Sequence, residues 1–237
     1  MPTPRFLVPD LPGTADPPGG RLVLPPGESH HARRVLRLAD GTPVELLDGA
    51  GHSATGILRE GTAVDLETVV CHPQLPTNLS IAAALPKGPR ADQMIDQLTQ
   101  LGVSRFIPLI TRHSQPEPKP SRLEKLRRVV DAALKQSGNP WAMTIEPAIP
   151  FTESLDQPGS RWLADTVSGP AENASPETEA RHTVWVGPEG GWSAEEREAA
   201  VHAGLRCTSL GRHTLRVETA AVVAAAAWLT PHHPTGG

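Results

Sequence analysis

Val184-Trp185-Val186-Gly187-Pro188-Glu189-Gly190-Gly191 is the stretch on which the fold turns. A short apolar run ends in a proline and three glycines. A buried strand therefore runs into a loop whose main chain can approach a ligand closely. Downstream, Thr208-Ser209-Leu210-Gly211 repeats the arrangement, and Leu215-Arg216-Val217-Glu218-Thr219-Ala220 follows it. Two strand ends with small residues form one crevice in an open α/β sheet, at the position where such sheets hold ligands. Ser193 with Glu196, just after the first loop, makes a capping box that starts a helix. Taken alone, residues 187–191 read equally well as a tight strand-to-helix turn. The G-x-G-x-x-G fingerprint and the P-loop lysine are missing, so the loop does not read as a nucleotide phosphate site.

Upstream of this loop, from residue 78, strand and helix alternate. Residues 79–85 form a buried-strand run, and Met94, Ile95, Leu98 and Leu101 follow at helical spacing, with Gly102 at the helix C′ position. Residues 103–110 are the next strand. Ser121 with Glu124 reads as a second capping box, and Leu123, Leu126, Val130, Ala133 and Leu134 continue that helix to Gly138-Asn139-Pro140. Residues 161–164 and 184–186 are further strands, residues 165–179 a polar, mobile loop, and the alanine-rich residues 220–229 a buried helix. Alternation of this kind implies a parallel sheet with helices on both faces.

Residues 5–70 have another rhythm. Strand candidates lie at 5–8, 21–24, 44–47 and 63–66, with a short helix within 28–38. Asp48-Gly49-Ala50-Gly51 between two of the strands is a hairpin signal. Many short strands in so few residues suggest a small barrel. Residues 72–76 read as a linker, which divides the chain into domains at 1–76 and 77–237.

The chain has 237 residues, 38% of them apolar, 26 prolines, 21 glycines and a net charge of -4. A core of ordinary size is possible, and a surface coated in basic residues is excluded; a local basic patch is still compatible with that sum. Cys71 and Cys207 carry no metal spacing and read as reduced thiols of a cytoplasmic protein. The ten histidines, including His30-His31, His113 and His232-His233, form no metal signature. The opening residues lack the apolar core of a signal peptide, and no apolar run approaches the roughly 20 residues of a membrane helix.

In order, the motifs resemble the 16S rRNA (uracil-N3)-methyltransferase family of the α/β-knot (SPOUT) superfamily. The matching residues are Gly187-Pro188-Glu189-Gly190-Gly191, Ser193 with Glu195-Glu196, Leu210-Gly211, and Leu215-Arg216 with Glu218-Thr219-Ala220. Weaker matches are Lys87-Gly88, Leu101-Gly102-Val103, Pro108-Leu109, Gln136-Ser137, His31 with Arg34-Val35-Leu36-Arg37, and Asp48-Gly49. The resemblance implies a C-terminal trefoil-knotted parallel sheet after a small N-terminal PUA-like β-barrel that binds RNA. It also implies a homodimer that uses S-adenosyl-L-methionine, no metal and no membrane, and acts on 16S rRNA or the small ribosomal subunit.

The same resemblance implies the site. Gly187, Pro188, Glu189, Gly190, Gly191, Leu210, Gly211, Leu215, Arg216 and Thr219 would hold the cofactor, with Leu215 on the adenine. Arg216, with Arg112 second, would stabilise charge on a uracil carbonyl. Glu218 would accept the N3 proton, or brace Arg216 or the loop; a plain Arg216–Glu218 ion pair is the alternative. Arg33, Arg34, Arg37, Lys87 and Arg90 would meet RNA, and for the first three a solvated charged face is an equal reading. Gln97 and Gln100 stand where the family carries lysine and glutamate, Lys135 where an acidic residue is usual, and Asn139-Pro140 where arginine is common. These departures leave open a same-fold enzyme for another RNA, or an RNA-binding relative without transfer activity.

Overall fold

A computed structural model describes residues 3–9, 11, 20–74, 78–114, 116–165 and 181–229. Its elements run β1 (Arg5–Leu7), β2 (Arg21–Val23), α1 (Pro26–His30), β3 (Pro43–Leu47), β4 (His52–Arg59), β5 (Ala63–Cys71), β6 (Asn78–Ala83), α2 (Pro89–Leu101), β7 (Arg105–Ile110) and α3 (Pro120–Ser137). There follow β8 (Thr144–Ile145), β9 (Ile149–Pro150), β10 (Ser160–Ala164), β11 (Arg181–Val186), α4 (Ala194–His202), β12 (Arg206–Thr208) and α5 (Val217–Leu229). The chain divides into two units, residues 1–74 with 131–142, and residues 75–130 with 143–237. His232-His233 and nearly all of the polar loop at 165–179 fall outside the described residues.

The first unit is a five-stranded sheet of order β1-β3-β4-β5-β2. β1 lies parallel to β3, and the other pairs are antiparallel. Phe6, Leu46, Leu58 and Val64 are fully buried at its centre. The hairpin at Asp48-Gly49-Ala50-Gly51 joins β3 to β4, not to the strand at 63–66 as the turn signal alone suggests. β4 escapes a sequence reading because its buried face carries Ala54 and Gly56, too small to raise an apolar signal. Gly56 is required there: a Cβ would sit 2.4 Å from the Asp65 carbonyl oxygen, at the point where the β4–β5 register shifts. After α1 the chain makes a π-helical turn, His31–Val35. Arg37 lies beyond it with φ 53°, so the helical spacing that would put Arg34 and Arg37 on one face does not apply.

The second unit holds an all-parallel sheet of order β12-β10-β11-β6-β7-β8, with β9 also beside β7. Successive residues point to opposite faces. On one face Ala82, Ile107, Leu109, Leu163 and Trp185 pack under Ala200 of α4 and under Phe151 and Leu155. On the other, Trp162 meets Trp228 of α5 edge to face, centroids 5.8 Å apart. α5 buries Val217, Ala220, Ala221, Ala224, Ala225 and Trp228, a three-and-four spacing that sets one stripe of small residues inward. Burial on both faces explains why these strands read as continuous apolar runs.

Local rules set the helix ends. α2 starts at Pro89 after Gly88, φ 65°, and stops at Gly102 in the left-handed conformation. α4 has both hydrogen bonds of the Ser193–Glu196 capping box. The second expected box is corrected: α3 begins at Pro120, so Ser121 lies inside its first turn. The fixed φ of a proline at the first helical position starts this helix.

Candidate functional site

Four chain segments converge at the carboxyl ends of the parallel strands, all within the second unit: those after β7, β10, β11 and β12. A cavity of about 100 Å³ opens there. Gly187, Pro188, Gly191, Leu210, Gly211 and Leu215, all expected from the sequence, line it. Asp165, Trp192 and His213 also line it and were missed. Asp165 had a usable signal, since it directly follows a strand at its carboxyl end; the other two had none.

The loop after β11 is braced from beneath. The Trp192 indole N–H donates to the Ala164 carbonyl at 3.0 Å, and the Gly191 N–H donates to Pro188 at 2.8 Å. A Cβ on Gly187 would press the Trp192 ring at 3.1 Å, and one on Gly190 would meet the His113 Cβ at 2.8 Å. Gly191 has φ +71°, which L side chains rarely adopt. The spacing of the glycines is thus dictated by two neighbouring rings and one left-handed residue.

Glu196, 8% exposed, ties two of the segments together. One carboxylate oxygen accepts the Ser193 N–H and the other the Arg112 N–H, each at 2.8 Å. That contact seats the turn after β7 beside the glycine loop, where the His113 ring nitrogen lies 3.1 Å from the Gly191 carbonyl. Glu195, next in the first turn of α4, has its carboxyl held below the ordinary range by its own backbone N–H and then by the Ser193 hydroxyl. Asp165 is 2.7 Å from Arg197 of α4.

The remaining expected residues sit around this core. Glu189 is 3.3 Å from Arg90, and Arg90 is 3.7 Å from Glu218. One Glu218 carboxylate oxygen is buried without a hydrogen-bond partner. Glu218 therefore pairs with Arg90 and not with Arg216, which is exposed along with Arg112, Thr219 and Lys87. In the first unit Arg33, Arg34 and Arg37 are exposed in sequence with Val35 and Leu36. Arg33 donates to the Glu60 carbonyl. Of the unusual residues, Gln100 bonds Asp96 within α2, and Lys135 pairs with Glu28 at 2.8 Å. Neither lines the cavity.

The lining suits a neutral, flat, partly apolar ligand. Val186, Leu215, Val217 and Ala220 offer apolar contact, while main-chain N–H and C=O groups of the glycine loops can read a heterocycle's edge. Among the described residues Asp165 is the one carboxylate of the lining and is paired with Arg197. Arg112 and Arg216 are exposed and do not line the cavity. No group of three or more His, Cys, Asp or Glu side chains that could hold a metal occurs among the described residues. No helix among them is long and apolar enough to cross a membrane.

Comparison with known proteins agrees with this layout. Residues 73–229 match the model of the RNA methyltransferase domain. The chain is 33% identical over 216 residues to ribosomal RNA small subunit methyltransferase E of Synechocystis, covering 86% of this chain and 71% of the relative. It is 30% identical to the protein of the same name from Rickettsia conorii, covering 83% and 84%. The crystal structure of a ribosomal RNA small subunit methyltransferase E from Neisseria gonorrhoeae, bound to S-adenosyl methionine, superposes with a TM-score of 0.85 at 26% identity, over 95% of this chain and 96% of that one. The chain belongs to the RNA methyltransferase family that includes the ribosomal RNA small subunit methyltransferases E.

Proposed function

We propose that this protein transfers a methyl group from S-adenosylmethionine to N3 of a uridine in 16S rRNA. The observation that carries the proposal is the cavity walled by Gly187, Pro188, Gly191, Leu210 and Gly211 at the carboxyl ends of the sheet. A cradle of backbone and aliphatic groups fits an adenosine, and Leu215 packs on the adenine. Its close-set glycines leave no Cβ between ligand and main chain. The rest of the set is Glu189, Gly190, Arg216 and Thr219. Glu189 ties the rim of the loop to Arg90, and Gly190, lacking a Cβ, leaves room for the His113 side chain.

S-adenosylmethionine supplies an electrophilic methyl: the N3 lone pair forms the new N–C bond as the C–S pair returns to sulfur, leaving a neutral thioether. The protein aligns the two atoms, an effect worth roughly 7–11 kcal/mol in the best intramolecular models. Arg216, seconded by Arg112, faces the developing negative charge on a uracil carbonyl. Glu218 takes the N3 proton; one of its oxygens has no other hydrogen-bond partner. Arg33, Arg34 and Arg37 of the first unit, with Lys87, contact RNA phosphates, which position the substrate and make binding salt-sensitive. The acting form is a cytoplasmic homodimer. Residues 1–76 make the PUA-like RNA-binding domain, and residues 77–237 the trefoil-knotted transferase.

The decisive experiment deletes the gene and maps the small-subunit rRNA by nucleoside mass spectrometry. One N3-methyluridine should vanish and return when the purified protein and S-adenosylmethionine are added to the unmethylated particles. Loss of a methyl at another position, or of none, refutes the assignment.

A further inference from the structure

Arg90 is read from the sequence as an RNA contact, yet its guanidinium is already engaged. It sits in the first turn of α2 and reaches two of the site motifs at once. One terminal nitrogen lies 3.3 Å from Glu189 on the glycine loop, and the other 3.7 Å from Glu218 on the first turn of α5. The two carboxylates differ in exposure. The Glu189 side chain is 42% exposed, and the Glu218 side chain 13%. Glu218 has an oxygen buried without a hydrogen-bond partner, and its one ion-pair partner among the described residues is Arg90. Removing Arg90 would leave the mostly buried Glu218 carboxylate without a cation, a cost moderated by the one-third exposure of the Arg90 side chain.

The turn that carries Arg90 is itself held. Arg122 of α3 donates to the Gly88 carbonyl at 3.0 Å and lies 2.7 Å from Asp92, and Lys125 lies 2.6 Å from the other Asp92 oxygen. Arg90 is thus aimed from a fixed helix end, and α2 packs directly against α5. A planar guanidinium with separate donors can serve two carboxylates where a lysine ammonium offers one point charge.

We propose that Arg90 is a positioning residue that clamps the glycine loop, through Glu189, to the start of α5, through Glu218. The inference rests on the methyltransferase reading above and adds to it a link between cofactor hold and methyl transfer. The two arms carry separate duties: the Glu189 arm sets the loop that holds the cofactor, and the Glu218 arm sets the carboxylate that serves the acceptor base.

The test is a set of double-mutant cycles on the full-length protein, with S-adenosylmethionine affinity by calorimetry and single-turnover transfer to small-subunit particles. E189Q should weaken the cofactor and spare the transfer rate at saturation. E218Q should slow transfer, by roughly a hundredfold to ten-thousandfold for a lost proton acceptor, and spare affinity. R90Q should do both, and R90K should recover only part of the loss. R90Q/E218Q should transfer no more slowly than E218Q, and R90Q/E189Q should bind cofactor no more weakly than R90Q, the non-additivity of residues acting as one unit. Coupling between R90Q and E218Q in thermal unfolding of the cofactor-free protein checks the link without any transfer assay. Full additivity in all three readouts overturns the proposal. So does R90Q with normal cofactor affinity and rate but weaker, less salt-dependent RNA binding, the signature of a phosphate contact. Absence of transfer by the wild-type protein sinks the methyltransferase reading instead, and leaves the unfolding cycle to decide the clamp.

Discussion

The proposed cofactor cradle and the basic segment around residues 33–37 are built on opposite principles. The cradle is made of main chain. Its loops are pinned by the Trp192 indole, the Glu196 carboxylate and the steric demands of Gly187, Gly190 and Gly191. The basic segment is made of side chains. Arg33, Arg34 and Arg37 project from a π-helical turn and its exit, with exposed Val35 and Leu36 between them. A ligand of fixed shape is matched by a rigid backbone. A polyanion with many equivalent phosphates needs only charge on movable stems. The difference predicts that damage to the cradle travels through stability, whereas damage to the basic segment is confined to affinity.

The largest effect should come from Trp185→Ala, which excavates the layer beneath the cradle. Trp185 is fully buried, and its indole donates to the Ser154 hydroxyl at 2.8 Å. A loss of about 3–5 kcal/mol is expected, visible as an early transition in urea; a shift under about 1 kcal/mol would show that the sheet relaxes around the hole. Glu196→Ala should follow, at about 2–3 kcal/mol, since it removes a cap and strands the Ser193 and Arg112 N–H groups. Cofactor affinity should fall with it. Unchanged calorimetric affinity would separate the cap from the cradle.

A smaller effect is expected at Asp92. Burial would raise its pKa, but the Lys125 hydrogen bond and the Arg122 charge outweigh it and hold the carboxyl below its ordinary value of 3.8. A group with a depressed folded pKa stabilises the protein above its unfolded value, and that contribution disappears as pH falls through the folded one. Asp92→Asn should therefore be less stable than wild type at neutral pH, with the gap closing below pH 3.8. A gap that persists in acid would mean that packing, not charge, is at work. Smallest in stability should be the triple Arg33, Arg34 and Arg37→Ala variant, within about 0.5 kcal/mol of wild type. Its RNA binding should weaken, and the slope of log K against log salt should flatten by roughly 2–3. An unchanged slope would reduce the trio to a solvated face.

Legibility differed between the same two regions. Most of the strand and helix order of the second unit was readable, the two-residue β8 and β9 excepted, because buried parallel strands, capping residues and glycines leave local marks. Gly102 at φ 89° and the Ser193–Glu196 box fell where the pattern placed them. β4 was missed because two of its three inward residues, Ala54 and Gly56, are small, and the first turn of α3 was misread because proline, not serine, starts it.

Sequence alone therefore determined the strand and helix alternation, the glycine loops and the family, because each rests on neighbours within a few residues. Tertiary structure decided which distant groups meet. It placed Asp165, Trp192 and His213 in the cavity, fastened Arg112 to Glu196 across 84 residues, and turned Arg90 toward Glu189 and Glu218. An ion pair forms between whichever charges the packing of helices and sheet brings within a few ångströms, and no local pattern encodes that distance.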